Sequence, residues 1–170
     1  MDPAARHFRA FLDAIGLPED PELVGTPERV AELLAGFVPR EPDPPTTCAT
    51  ASSTPVVIRG IPFYSLCAHH FLPFFGAAAV AYRPRGTLLG LGAVPRLIEA
   101  LARRPQIQER LTEQIADALA RWADPVSVVV SLRARHLCVE MRGARVPAEV
   151  ETVATRGEPD PWLLARVASP

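Results

Sequence analysis

Two short stretches hold three of the four histidines and two of the three cysteines of this chain: Ser65-Leu66-Cys67-Ala68-His69-His70-Phe71-Leu72-Pro73-Phe74 and Arg135-His136-Leu137-Cys138. Thiolate and imidazole are the donors that zinc prefers; it binds them tetrahedrally, and a catalytic site leaves one position for water. Cys67 and His70 stand three apart at the end of an apolar run, where a tight bend can turn both toward one ion. His136 and Cys138 stand two apart, so on a strand they face the same side. Four donors could meet at one point, with His69 a fifth candidate. Any one of these residues alone would read as packing, since a buried cysteine behaves as a small hydrophobe. Two donor types gathered in two clusters point instead to a metal site.

The elements that must position these donors follow from the surrounding pattern. Phe8, Phe11, Leu12 and Ile15 recur at helical spacing until Gly16-Leu17-Pro18 stops them. A second helix starts at Thr26-Pro27-Glu28, with Thr26 as the capping hydroxyl, and carries Val30, Leu33, Leu34 and Phe37. Residues 1–38 therefore read as a helical arm. The stretch 40–54, rich in Pro, Thr and Ser, reads as a loop in which Cys48 is incidental. Val56 to Leu66 has strand content interrupted at Gly60 and Pro62, and Gly76 to Tyr82 reads as its antiparallel partner. Helices are expected from Val94 to Arg103 and from Pro105 to Trp122, the second with Ile107, Leu111, Ile115 and Leu119 as a buried stripe. Asp124-Pro125 turns the chain into a strand from Val126 to Leu132, which His136 to Met141 continues or pairs with. Residues 55–157 thus form a sheet-and-helix core of α+β class within one domain, and 158–170 a tail.

Composition narrows the function classes. A chain of 170 residues, 48% hydrophobic and 22% charged, suits one domain with a sizeable core. No apolar run approaches the roughly 20 residues that cross a bilayer, and Met1 to Ala10 has no apolar segment of the secretory kind. A cytoplasmic protein with no membrane partner is expected. A net charge of −1 argues against holding nucleic acid by bulk electrostatics. Three cysteines make no disulfide framework. All 18 basic residues are arginine, so lysine chemistry is closed to this chain.

Cys67-Ala68-His69-His70 followed by Leu72-Pro73-Phe74 resembles the Cys-Glu-His-His segment of the GTP cyclohydrolase I family. Arg104-Pro105-Gln106-Ile107-Gln108-Glu109-Arg110-Leu111-Thr112 and His136-Leu137-Cys138-Val139-Glu140-Met141-Arg142-Gly143 resemble two further segments of that family, and Thr26-Pro27-Glu28-Arg29-Val30-Ala31 looks like its N-terminal helix start. The likeness runs in order from about residue 22 to 157. It implies a tunnelling fold: a four-stranded antiparallel sheet with two helices on one face, plus a helical N-terminal arm, assembled into a ring. It further implies a homodecamer of two stacked pentamers with active sites between subunits. A small sheet with open edges favours assembly on physical grounds too.

By residue matching, Cys67, His70 and Cys138 would hold Zn2+, whose bound water, acidified to a pKa of about 7, would attack C8 of guanine. His69 and His136 would shuttle protons. Glu109 would accept hydrogen bonds from the guanine N1–H and 2-amino group, Gln108 would sit near the ribose, and Leu91 and Ile107 would complete the substrate site. Arg29, Arg96 and Arg142 match positions that bind the triphosphate, for which arginine is geometrically suited. Without the resemblance, Glu109, Gln108 and these arginines read as solvated surface. The implied reaction takes GTP to formate and 7,8-dihydroneopterin triphosphate.

The sequence departs from the family pattern at four places. Ala68 replaces an acid, Gly90-Leu91-Gly92-Ala93 replaces Gly-Leu-Ser-Lys, Glu32 replaces a lysine, and Glu151-Thr152-Val153-Ala154 replaces Lys-Thr-Val-Thr. The metal donors, both proton-carrying histidines and Glu109 remain, while groups toward ribose and phosphates are thinned. Two other functions fit less well. One is a zinc hydrolase that stops at a ring-opened intermediate or takes a different guanine nucleotide. The other is a non-catalytic ring protein with a structural zinc, for which His69 and His136 would be superfluous.

Overall fold

Helix α1 (Pro3–Ala14) begins where Asp2 accepts the Ala4 and Ala5 N–H groups, and Pro3 in the first turn needs no amide partner. A left-handed Gly25 (φ 75°) then leads into α2 (Thr26–Ala35). The cap therefore falls one residue before Thr26, whose hydroxyl instead accepts the Arg29 guanidinium at 2.9 Å. This computed structural model describes residues 2–17 and 20–168, so Pro18 of the expected stop lies outside the described residues. The two helices pack on each other in the unit Met1–Val38; the second unit is Pro39–Pro170.

The second unit runs β1 (Thr47–Ala49), β2 (Val56–Cys67), β3 (Pro73–Arg83), β4 (Thr87–Leu89), α3 (Ala93–Ala102), β5 (Pro105–Gln106), α4 (Gln108–Ala123), β6 (Ser127–His136), α5 (Leu137–Glu140), β7 (Glu149–Gly157) and α6 (Pro161–Ala168). The main sheet has the order β5-β2-β3-β6-β7. Strands β2, β3, β6 and β7 are antiparallel neighbours; β5 adds a two-residue parallel edge against Leu66 and Cys67. Thr47–Ala49, inside the stretch read as loop, pairs with β4 in a separate two-stranded ribbon.

Period-2 alternation sends Phe63, Phe74, Ala78, Val80, Val128, Val130 and Leu132 to one face, where α3 and α4 close the core with Leu97, Ile98, Leu111, Ile115 and Leu119. Ile58 and Ile61 differ by an odd number, so a regular strand would put them on opposite faces. A bulge between them, turned by left-handed Gly60 (φ 67°), lets both pack against this core. The expected interruption of β2 is therefore a one-residue bulge in a continuous strand.

Two expectations need correcting. The segment after Gly157 is not a plain tail: α6 lies on the opposite face of the sheet, with Leu163 and Val167 buried against Ala81 and Val129. Asp160 starts that helix, accepting the Trp162 and Leu163 N–H groups and pairing with Arg83 at 2.8 Å. Helices thus cover both faces, not one. The expected strand from His136 to Met141 also ends at His136, where the chain winds into the single turn α5, and the fourth antiparallel strand is β7. Among the described residues, no helix is long and apolar enough to cross a membrane.

Candidate active site

Strand β2 delivers Cys67 to a bend held by backbone hydrogen bonds. The Cys67 N–H reaches Leu72 O at 2.8 Å, and the Cys67 carbonyl accepts the N–H groups of His70 (3.2 Å) and Phe71 (2.8 Å). The Ala68 N–H reaches Gln106 O in β5 at 2.9 Å, and Phe71 adopts a left-handed φ of 55°. The bend brings the Nδ1 atoms of His69 and His70 each to 3.9 Å from Cys67 Sγ. Cys138 arrives from the other side of the sheet end, on α5. That turn is held by a bidentate ion pair of Arg135 with Glu140, at 2.9 and 2.6 Å, which keeps the Glu140 carboxyl below the ordinary carboxylate range.

Cys67 Sγ, a His70 ring nitrogen and Cys138 Sγ lie within 4.8 Å of one another. A tetrahedral zinc at ~2.3 Å from sulfur and ~2.0 Å from nitrogen holds its donors ~3.6–3.8 Å apart. The three side chains therefore fit the ion with about 1 Å of closure. Burial pushes the Cys138 thiol above its ordinary value, and the adjacent Cys67 adds to the effect while Arg142 opposes it. Two sulfurs this close, one buried and one half-buried, are suited to a cation that neutralises their thiolates.

His136 does not join that set, because α5 turns Cys138 away from the strand spacing that would have aligned the two. Its ring stacks on Phe74, centroids 4.8 Å apart and planes 4° apart, and its Nε2 lies 2.7 Å from Gln108 Oε1. Burial holds the imidazole below the ordinary histidine value, against the pull of the Glu109 and Glu140 carboxylates. Three donors converge, and His136 is held apart from them by partners of its own.

Residues 4–161 match the family model described as GTP cyclohydrolase I. The chain belongs to the GTP cyclohydrolase I family. The GTP cyclohydrolase 1 of Geobacillus kaustophilus (strain HTA426) is 46% identical over 173 residues, covering 95% of this chain and 91% of that protein. That of Hyperthermus butylicus is 48% identical over 157 residues, covering 88% and 79%, and that of Thermobifida fusca (strain YX) is 47% identical over 160 residues, covering 88% and 76%. Among solved structures, the archaeosine synthase QueF-Like in the apo form superposes with a TM-score of 0.48 at 20% identity, over 65% of this chain and 100% of that chain.

The other residues singled out from the sequence take these places. Glu109 is exposed in the first turn of α4, close enough to raise the affinity of His136 for its proton. Gln108 is buried at 1% exposure beneath it. Ile107 is half-buried at the cap of α4, and Leu91 is 71% exposed just before α3. Arg142 donates to His70 Nε2. Arg96 lies exposed on α3 with its guanidinium over Gly92, where a Cβ would stand 2.8 Å from Nη1. Arg29 lies in the first unit, donating to Val24 O and Thr26 Oγ1. Three features had no signature in the sequence: the Phe74 stack, the Gln108 tether and the Arg135–Glu140 clamp. Each depends on strand register or on a helix turn of four residues.

Proposed function

We propose that this protein hydrolyses the guanine imidazole ring of GTP at C8, releasing formate and forming 7,8-dihydroneopterin triphosphate. The observation that carries the reading is the convergence of Cys67, His70 and Cys138 on one point beside a separately held His136, in a chain of the GTP cyclohydrolase I family. Cys67, His70 and Cys138 would hold Zn2+, whose Lewis acidity would lower the pKa of a water to about 7. His136 and His69 accept the protons released as one water adds at C8 and a second attacks the resulting formamide, and return protons to the two ring nitrogens as their bonds to C8 break and the carbon departs as formate. Glu109 accepts the guanine N1–H and 2-amino hydrogens, a pairing that adenine cannot offer. Leu91 and Ile107 flank the base, and Arg142 and Arg96 neutralise the triphosphate. The amine left at the former N7 condenses with the carbonyl of the rearranged ribose, losing water, to give the pterin ring.

Assembly belongs to this reading. Among the described residues, β7 has no neighbour on its outer side, and β2 is paired on its outer side only at Leu66 and Cys67. Open edges of that length favour pairing with further copies, so we place the protein in a homo-oligomeric ring, a decamer with sites between subunits. Thiol ligands require a reducing compartment, which favours the cytoplasm. Light scattering on the purified protein tests the ring, and a monomer at micromolar concentration refutes it. The activity is tested by incubating zinc-loaded protein with GTP, GDP and GMP while formate and pterin are measured together. Formate and pterin in equal amounts from GTP support the reading; no formate from any of the three overturns it.

A further inference from the structure

The side chain of Gln108 is among the largest fully buried groups in the molecule. Its Nε2 lies 3.0 Å from Leu132 O, 3.0 Å from Val150 O and 3.1 Å from Thr152 Oγ1. Two of these partners are backbone carbonyls, which only accept. The amide NH2 must therefore point toward them, and the amide oxygen must point the other way, to His136 Nε2 at 2.7 Å. An amide oxygen also only accepts. The proton of a neutral His136 ring must then sit on Nε2, leaving Nδ1 as the ring nitrogen with a free lone pair. The orientation passes in sequence from strand carbonyls to amide and from amide to imidazole.

A second, independent restraint acts on the ring plane. Strand pairing sets Phe74 directly opposite His136, and the two rings stack within 4° of parallel. Phe74 is fully buried, so it cannot yield. The face of the imidazole is thus fixed by β3 and its edge by α4. The tether is itself anchored: Thr152 Oγ1 lies 2.6 Å from Thr112 Oγ1, and the Thr112 hydroxyl donates to Gln108 O at 2.8 Å. This closes a ring of polar groups linking α4 to β7.

We propose that Gln108 is a positioning residue that fixes the tautomer and orientation of His136, presenting Nδ1 as the proton-accepting atom, and does not itself bind the ribose. This rests on the reading of His136 as a proton carrier, and differs from the role that family resemblance gives Gln108. Both amide hydrogens are taken up by β6 and β7, the oxygen faces His136, and the side chain is 1% exposed, so it is not presented to a sugar.

The test compares wild type with Gln108→Met, which keeps length and volume but removes both amide ends, and Gln108→Glu, which keeps an acceptor toward His136. Nitrogen-15 NMR of the imidazole in the zinc-free protein reads the tautomer directly, without turnover. Wild type should show a single Nε2-protonated form, Gln108→Met a mixture, and Gln108→Glu a return to the Nε2-protonated form. With zinc and GTP, Gln108→Met should lose about ten- to a hundredfold in kcat, the scale of a misplaced reacting group, with KM changed less than about threefold. If Gln108→Met proves too unstable to handle, Thr152→Val loosens the same tether and should shift the tautomer in the same direction. A wild-type mixture, or a KM rise with unchanged kcat, overturns the proposal. A locked tautomer in a protein that releases no formate would leave the positioning intact and defeat the proposed activity instead.

Discussion

Replacing Cys138 by serine removes one of the three donors that lie within 4.8 Å of each other. Serine is neutral at pH 7, and its shorter C–O bond pulls the donor atom back from a point that already needs about 1 Å of closure. The fold has little reason to suffer, because Cys138 is only half-buried and α5 is held by the Arg135–Glu140 ion pair, which the change leaves alone. Zinc sites with four protein ligands bind with ~10–16 kcal/mol in total, or roughly 2.5–4 kcal/mol per ligand. Losing one of three should therefore weaken zinc by roughly two to three orders of magnitude. Competition with a chromophoric chelator gives the affinity, and metal analysis after gel filtration gives the stoichiometry. Wild type should retain one zinc per subunit and Cys138→Ser almost none. Cys48→Ser is the control: that thiol is exposed on β1 and belongs to no donor cluster, so metal and activity should be unchanged. Full zinc content in Cys138→Ser would refute the ligand assignment.

Glu109→Ala should weaken GTP binding by about 2 kcal/mol or more, because two donors on the base lose a charged acceptor; calorimetry in the zinc-free protein measures it, and unchanged affinity places the base elsewhere. Its effect on stability should be small, about 0.3–1 kcal/mol from the helix dipole at an exposed first-turn position. Selectivity for GTP over GDP should be weak, since Gly92 and Ala93 lack a hydroxyl and a cation, and each such contact is worth ~1.5–3 kcal/mol where desolvated. Gly92→Ser, whose added Cβ meets only the movable end of Arg96, should sharpen it; strong selectivity in the unaltered protein would mark these departures as neutral. The anchor of α6 should be acid-labile: burial raises the Asp160 pKa, but the Leu163 N–H, Arg83 and the Trp162 N–H together hold it below its ordinary value of 3.8. Its contribution is complete above the unfolded carboxylate value and is lost as pH falls through the lower folded one. Circular dichroism on acid titration should show that Asp160→Asn has lost this pH dependence, and an identical acid transition in both proteins would contradict it.

Local chemistry was enough to gather Cys67, His70, His136 and Cys138 as candidate donors, three of which converge. Cys67 and His70 lie within one bend, whose geometry is set by a few adjacent peptides, and their donor types have few other uses in combination. The stripe of Leu111, Ile115 and Leu119 and the alternation of β6 were equally legible, because helix and strand periods are written directly into the order of apolar residues. The sequence could also single out His136, Gln108 and Glu109 through their resemblance to a known family. It could not say how they relate. The spacing of His136 and Cys138 suggested one shared face, but the chain winds into α5 directly after His136 and carries Cys138 off the strand. The eight residues of α6 looked like a tail until Ala81 and Val129 gave Leu163 and Val167 something to cover. The orientation of His136 is the clearest case. It depends on a carbonyl in β6, a carbonyl in β7, an amide in α4 and a phenyl ring in β3, groups up to 76 positions apart brought together by strand register. Donor identity is a property of single residues, whereas the direction in which a proton can move is a property of how four elements are packed.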